Sequence, residues 1–152
     1  MTTMTQTNVQ VYAVFIKASP EQIWEAITKP EFTSRYFYGS LVDSSFEAGA
    51  PYRSWSPDRE KLWVDGEVLD SDPPRRLSYT WRALYDEETA TEEPSRVSWE
   101  IEPQDGGVSK LTVVHDQLER APKTAENVAG GWMYILSGMK TLLETGEPLT
   151  SF

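Results

Sequence analysis

Gly66-Glu-Val-Leu-Asp-Ser-Asp-Pro-Pro-Arg-Arg-Leu-Ser-Tyr-Thr-Trp81 is the stretch on which the fold turns. Pro73-Pro74 cannot continue a strand, since proline lacks the amide hydrogen that a sheet ladder needs, so the residues on either side read as two strands folded back on each other. Beyond the prolines, Leu77, Tyr79 and Trp81 recur at every second position and fall on one face. A hairpin with large apolar groups on one side describes part of a curved sheet built to enclose something.

The neighbouring segments extend that reading. Further strands are expected at about Ser40 to Phe46, Pro51 to Ser56, Leu62 to Asp70, Arg76 to Leu84, Arg96 to Glu102 and Ser109 to Leu118, each with a turn signal beside it. Gln104-Asp105-Gly106-Gly107 is the clearest tight turn, because Asp and Gly tolerate positive φ. All the links are short enough for antiparallel neighbours. Asp86 to Pro94 holds five carboxylates and reads as a solvated loop.

At the start, Met1 to Asn8 reads as a disordered tail, and residues 9–152 as one domain. Val9 to Ala18 is rich in β-formers at both parities, which predicts a strand covered on much of both faces. Ser19-Pro20-Glu21-Gln22 carries the marks of a helix start: a serine cap, proline at the first helical position and a glutamine able to reach back. Thr28-Lys29-Pro30-Glu31 repeats the signal and predicts a second short helix bearing Phe32, Tyr36 and Phe37. The last element is expected from about Lys123 to Thr145, with Val128, Trp132, Ile135, Leu136, Met139, Leu142 and Leu143 forming one apolar stripe. Gly130-Gly131 marks either its true start or a close backbone approach, and Gly146 suits its end.

Composition narrows the function classes. The 152 residues include 24 acidic and 14 basic side chains, a formal net charge of −10 that repels nucleic acid and anionic membrane surfaces. There is no cysteine, hence no disulfide or thiolate chemistry. No run approaches the length of a membrane span, and no leader pattern opens the chain, so a cytoplasmic protein is expected.

Four motifs together carry a resemblance: Ala18 through Thr28, the Gly66 to Trp81 stretch, Leu111-Thr-Val-Val-His115, and Gly131-Trp132 through Gly146. With the order strand, two short helices, six strands and long helix, they resemble the START-like (SRPBCC, helix-grip) superfamily. The nearest branch is the bacterial one similar to the C-terminal domain of the activator of the heat-shock protein 90 ATPase. The resemblance implies an α+β helix-grip fold, in which a curved antiparallel sheet of about seven strands wraps around the C-terminal helix. It also implies a cavity between the two, and either a small apolar ligand or a chaperone as partner.

On that fold, parity selects candidate ligand-binding residues: Tyr36 and Phe37 from the second helix, Tyr79, Trp81, Trp99 and His115 from the strands, and Trp132, Leu136 and Met139 from the last helix. Such a lining favours apolar or aromatic molecules, and binding or sensing is the leading reading. A co-chaperone role is the alternative that the family implies. A cyclase-like or hydratase-like enzyme using His115 is a second alternative. His115 is the only histidine and should point inward, but Asp116 cannot orient it from the opposite face, so a partner such as Tyr79 would be needed. Asp65, Glu67, Glu100 and Glu102 fall on the convex face. With one His and no Cys, no metal or other cofactor is expected.

Overall fold

The computed structural model describes residues 8–151, so the tail expected over Met1 to Asn8 lies, up to residue 7, outside the described residues. Seven strands form one antiparallel sheet in the order β1-β7-β6-β5-β4-β3-β2. They are β1 (Gln10–Ile16), β2 (Leu41–Asp43), β3 (Pro51–Trp55), β4 (Leu62–Asp72), β5 (Arg76–Ala83), β6 (Ser95–Pro103) and β7 (Ser109–Asp116). The six strands from β2 to β7 form a meander, and β1 closes onto β7. The helices are α1 (Pro20–Thr28), α2 (Pro30–Tyr36), α3 (Glu87–Ala90), α4 (Pro122–Val128) and α5 (Gly131–Thr145). This is the α+β helix-grip arrangement. No helix among the described residues is long and apolar enough to cross a membrane.

The local signals near α1 operate as expected. Gln22 N donates to Ser19 Oγ and Ser19 N donates back to Gln22 Oε1, a reciprocal cap. At α2 the cap position is Lys29 without a side-chain bond, while Thr28 Oγ1 donates to Trp24 O inside α1. Proline at the first position starts that helix without a capping side chain.

Curvature is concentrated in β4. An alanine Cβ at Gly66 would sit 1.8 Å from the carbonyl oxygen of Thr80, so strand β5 crosses against bare backbone there. Three residues on, the β4–β5 register slips between Val68 and Asp70, a bulge that bends the strand further.

Three expectations need correction. The last helical stretch is two helices, because α4 ends where Ala129 turns extended and Gly130, at φ 82, forms the N-cap of α5; α5 therefore has 15 residues, about 22 Å at ~1.5 Å per residue. The first strand is covered on one face only. As an edge strand it buries Gln10 and Ile16 inward and leaves Val11 and Phe15 exposed, and its free edge is closed by α5. There Lys140 Nζ donates to Phe15 O, and Lys17 N donates to Glu144. Finally, the acidic segment is not a plain loop. Asp86 caps α3, Thr89 is buried and donates to Ala83 O, and Glu92 accepts from the amides of Lys123 and Thr124, fastening the first turn of α4.

The core lies between the concave face and α1, α2 and α5. The convex face carries the charges that parity assigned to it, including an Asp65–Arg82 pair and a closer Arg96–Asp116 pair.

Candidate functional site

Alternation along β5, β6 and β7 turns Leu77, Tyr79, Trp81, Val97, Trp99, Leu111, Val113 and His115 toward α5. In the middle of this face Trp99 Nε1 donates to Tyr79 Oη at 2.9 Å, and the Tyr52 ring stacks on Tyr79 at 3.8 Å with their hydroxyls hydrogen-bonded. Burial raises the Tyr79 phenol to about 12, partly opposed by the bonds from Tyr52 and Trp99. The Tyr36 hydroxyl donates to Ala26 O. Every one of these polar tips has a partner.

His115 is 0% exposed and equally satisfied. The Trp132 indole can only donate, so His115 Nδ1 accepts from it at 3.1 Å. The ring proton is thereby assigned to Nε2, which donates to Ser95 Oγ at 2.7 Å, and Ser95 in turn donates to Trp81 O. Burial holds the imidazole down at about 4, against a small opposing pull from Asp116. The group is neutral near pH 7, with both nitrogens committed.

Toward one end the packing opens. A cavity of about 530 Å³ lies between the sheet and the α4–α5 junction. Phe37, Tyr38 and Ser40 wall it from the turn after α2, Ser54, Trp63, Val64 and Trp81 from β3, β4 and β5, and Tyr85 from the segment just after β5. Asn127, Val128, Gly131, Trp132 and Ile135 complete it from the helices. Phe37 stacks on Trp81 at 6.2 Å and meets Trp132 edge-on at 5.7 Å, forming an aromatic floor above His115. Tyr38 and Tyr85, 44% and 46% exposed, stand at the mouth, where Tyr85 donates to Asn127 Oδ1 and Tyr38 stacks on Tyr134. Burial first, then Asp86 and Tyr38, push the Tyr85 phenol up, so it keeps its proton.

The profile of the family described as Activator of Hsp90 ATPase homolog 1-like protein matches residues 17–144. The chain belongs to this family. Among solved structures, an HSP90 activator from Plasmodium falciparum is 18% identical with a TM-score of 0.71, covering 92% of this chain and 97% of that one. Aha1 from Colwellia psychrerythraea, described as a dimer in solution, is 17% identical with a TM-score of 0.70, covering 91% and 97%. CalU16 from Micromonospora echinospora is 20% identical with a TM-score of 0.69, covering 92% and 76%. At these identities the likeness is one of fold. No curated protein matches the sequence.

Within this Hsp90-activator-like fold, the candidate residues divide. Phe37, Trp81 and Trp132 line the cavity. Tyr36, Tyr79, Trp99, His115, Leu136 and Met139 are buried in the packed part of the concave face and do not line it. Tyr79 is not the partner of His115; Ser95 and Trp132 are. Sequence reasoning missed Ser54, Trp63, Tyr85 and Asn127. Parity on β3 could have turned Ser54 inward with Tyr52, but Tyr85 and Asn127 are joined only by tertiary packing. Among the described residues no cluster of His, Asp or Glu has metal-binding geometry.

Proposed function

We propose that residues 9–152 act as one START-like unit that binds a small apolar or aromatic molecule in the cavity between the sheet and the start of α5. The observation that carries this reading is the lining itself: about 530 Å³ bounded by Phe37, Trp63, Trp81 and Trp132, with few polar groups. Sites of this size and composition are characteristic of small-molecule binding. His115 takes the role of a framework group, since neither nitrogen is open to a ligand or a reacting proton. That arrangement favours binding over acid–base catalysis.

Three tryptophans in the wall make intrinsic fluorescence the direct test, together with native mass spectrometry for any molecule that copurifies. A saturable change in emission is expected with naphthyl-sized apolar compounds. No response across a chemically broad panel, and no copurifying mass, would sink the reading. The family match favours a second one, a co-chaperone contact with an Hsp90-type ATPase. Stimulation of such an ATPase by the full chain, unaffected by cavity variants, would establish that reading instead.

A further inference from the structure

We propose that the cavity selects an uncharged ligand bearing a hydrogen-bond-accepting oxygen, of the aromatic ketone class, with Ser54 as the specificity-determining contact. The inference rests on the binding reading above and adds the chemistry of the ligand. Ser54 lines the cavity, is 5% exposed, and its hydroxyl makes no hydrogen bond to any described residue. Other buried serines and threonines of the chain are bonded: Ser40 to Phe37 O, Ser95 to His115, Ser109 to Ala18 O, Thr89 to Ala83 O. Because Ser54 Oγ is not among the sealed, unpartnered atoms, its hydroxyl is reachable, and a hydroxyl without a protein partner in a largely apolar wall is where a ligand's polar atom gains most.

Of the other polar groups in the wall, Ser40 and Tyr85 donate their hydroxyl protons to Phe37 O and Asn127 Oδ1, while Trp81 and Asn127 keep N–H groups. Trp81 Nε1 is the one buried side-chain atom among the described residues with no partner, and an indole can only donate. Asn127 spends its carbonyl on Tyr85, which leaves its amide hydrogens. α5 begins at Gly131 in the same wall with no side-chain cap on its first turn. The uncommitted hydrogens of Ser54 and Asn127 call for an acceptor. It does not call for a carboxylate, because no Lys, Arg or His lines the cavity, while Asp86 and Glu126 adjoin Tyr85 and Asn127 on a chain of net charge −10. An anion there would be desolvated without a counter-charge.

Three shape-matched probes separate the possibilities when titrated at neutral pH against the full chain and its Ser54→Ala variant: ethylnaphthalene, acetylnaphthalene and naphthoate. Acetylnaphthalene should bind about threefold to tenfold more tightly than ethylnaphthalene, the range of one hydrogen bond. Naphthoate should bind at least about thirtyfold more weakly than acetylnaphthalene, as an unpaired carboxylate does on burial. In Ser54→Ala the preference for the ketone should vanish while ethylnaphthalene affinity and melting temperature hold. Naphthoate binding as well as the ketone, or a ketone preference that survives Ser54→Ala, would overturn this inference and leave the binding reading standing. Failure of all three probes along with the broad panel would overturn both.

Discussion

The two ends of the concave face use similar residues to opposite effect. In the middle and toward one end, Tyr36, Tyr52, Tyr79 and Trp99 are buried, and each polar tip has a partner. At the other end Phe37, Trp63, Trp81 and Trp132 border a void beside the unbonded Ser54. The helix explains the contrast. At Gly138 a Cβ would lie only 3.2 Å from Tyr36 Cβ, so α5 and α2 meet closely and press the aromatics onto the sheet. At Gly130 the helix stops, and its ~22 Å does not cover a sheet whose longest strand, 11 residues, runs about 36 Å. Aromatic composition alone decides neither core nor cavity; the position where the covering helix begins does.

The contrast can be broken most severely at its hinge residue. Trp132 belongs to both regions, and Trp132→Ala should cost about 3–5 kcal/mol, the range for deleting a large buried aromatic, and should also strip His115 Nδ1 of its donor. Urea denaturation measures it; an unchanged midpoint would mean that α5 does not hold the sheet.

Acid should weaken the packed region next most strongly. The folded His115 pKa, about 4, lies below the ~6.5 of an unfolded chain. Below pH 6.5 the unfolded state binds a proton that the folded state refuses, so stability falls as pH drops toward 4. At ~1.4 kcal/mol per pH unit the loss attributable to this group is roughly 3 kcal/mol. Carboxylates titrate in the same range, so the comparison is with His115→Gln: the wild type should lose more stability than the variant between pH 7 and 4. Parallel losses would show that burial of the imidazole carries no linkage.

Tyr79→Phe sharpens the contrast from the solid side. It deprives buried Trp99 Nε1 of its acceptor and should cost about 1–3 kcal/mol, with probe binding at the cavity unchanged. Weakened binding would mean that the two ends are coupled.

Trp63→Ala is the matching change on the hollow side. Trp63 is half-buried in a wall that is already incomplete, so the loss of stability should stay within about 1 kcal/mol, while fluorescence titration shows affinity falling about tenfold. A large stability loss would reassign it to the core.

How much of this was legible in the sequence follows from how local each cause is. The Ser19 cap, the Pro73-Pro74 turn and the Gln104–Gly107 turn depend on residues within a few positions, and alternation sufficed to turn Tyr79, Trp99 and His115 inward. What was hidden depends on segments far apart. Gly130-Gly131 admitted two readings, and the positive φ at Gly130 decides between them. The outer face of β1 carries Val11 and Phe15, which look buried until the layering puts the helices on the other face of the sheet. Glu92 resembled one more solvated charge, yet it meets the start of α4 across 31 residues of chain. The partners of His115 come from β6 and α5, and parity gives a direction without a neighbour.

Gly66 gives the sheet's bend an unusual genetic signature. The curvature that cups the core rests at this point on a missing side chain, since any Cβ would meet the Thr80 carbonyl oxygen at 1.8 Å. In a library that samples all substitutions across β4, position 66 should therefore be depleted for every residue, alanine included. The convex Glu67 beside it should accept almost anything polar. A recoverable revertant of a Gly66 variant would have to shift the backbone of β5, because no shortening of a neighbouring side chain can make room for an atom that collides with main chain.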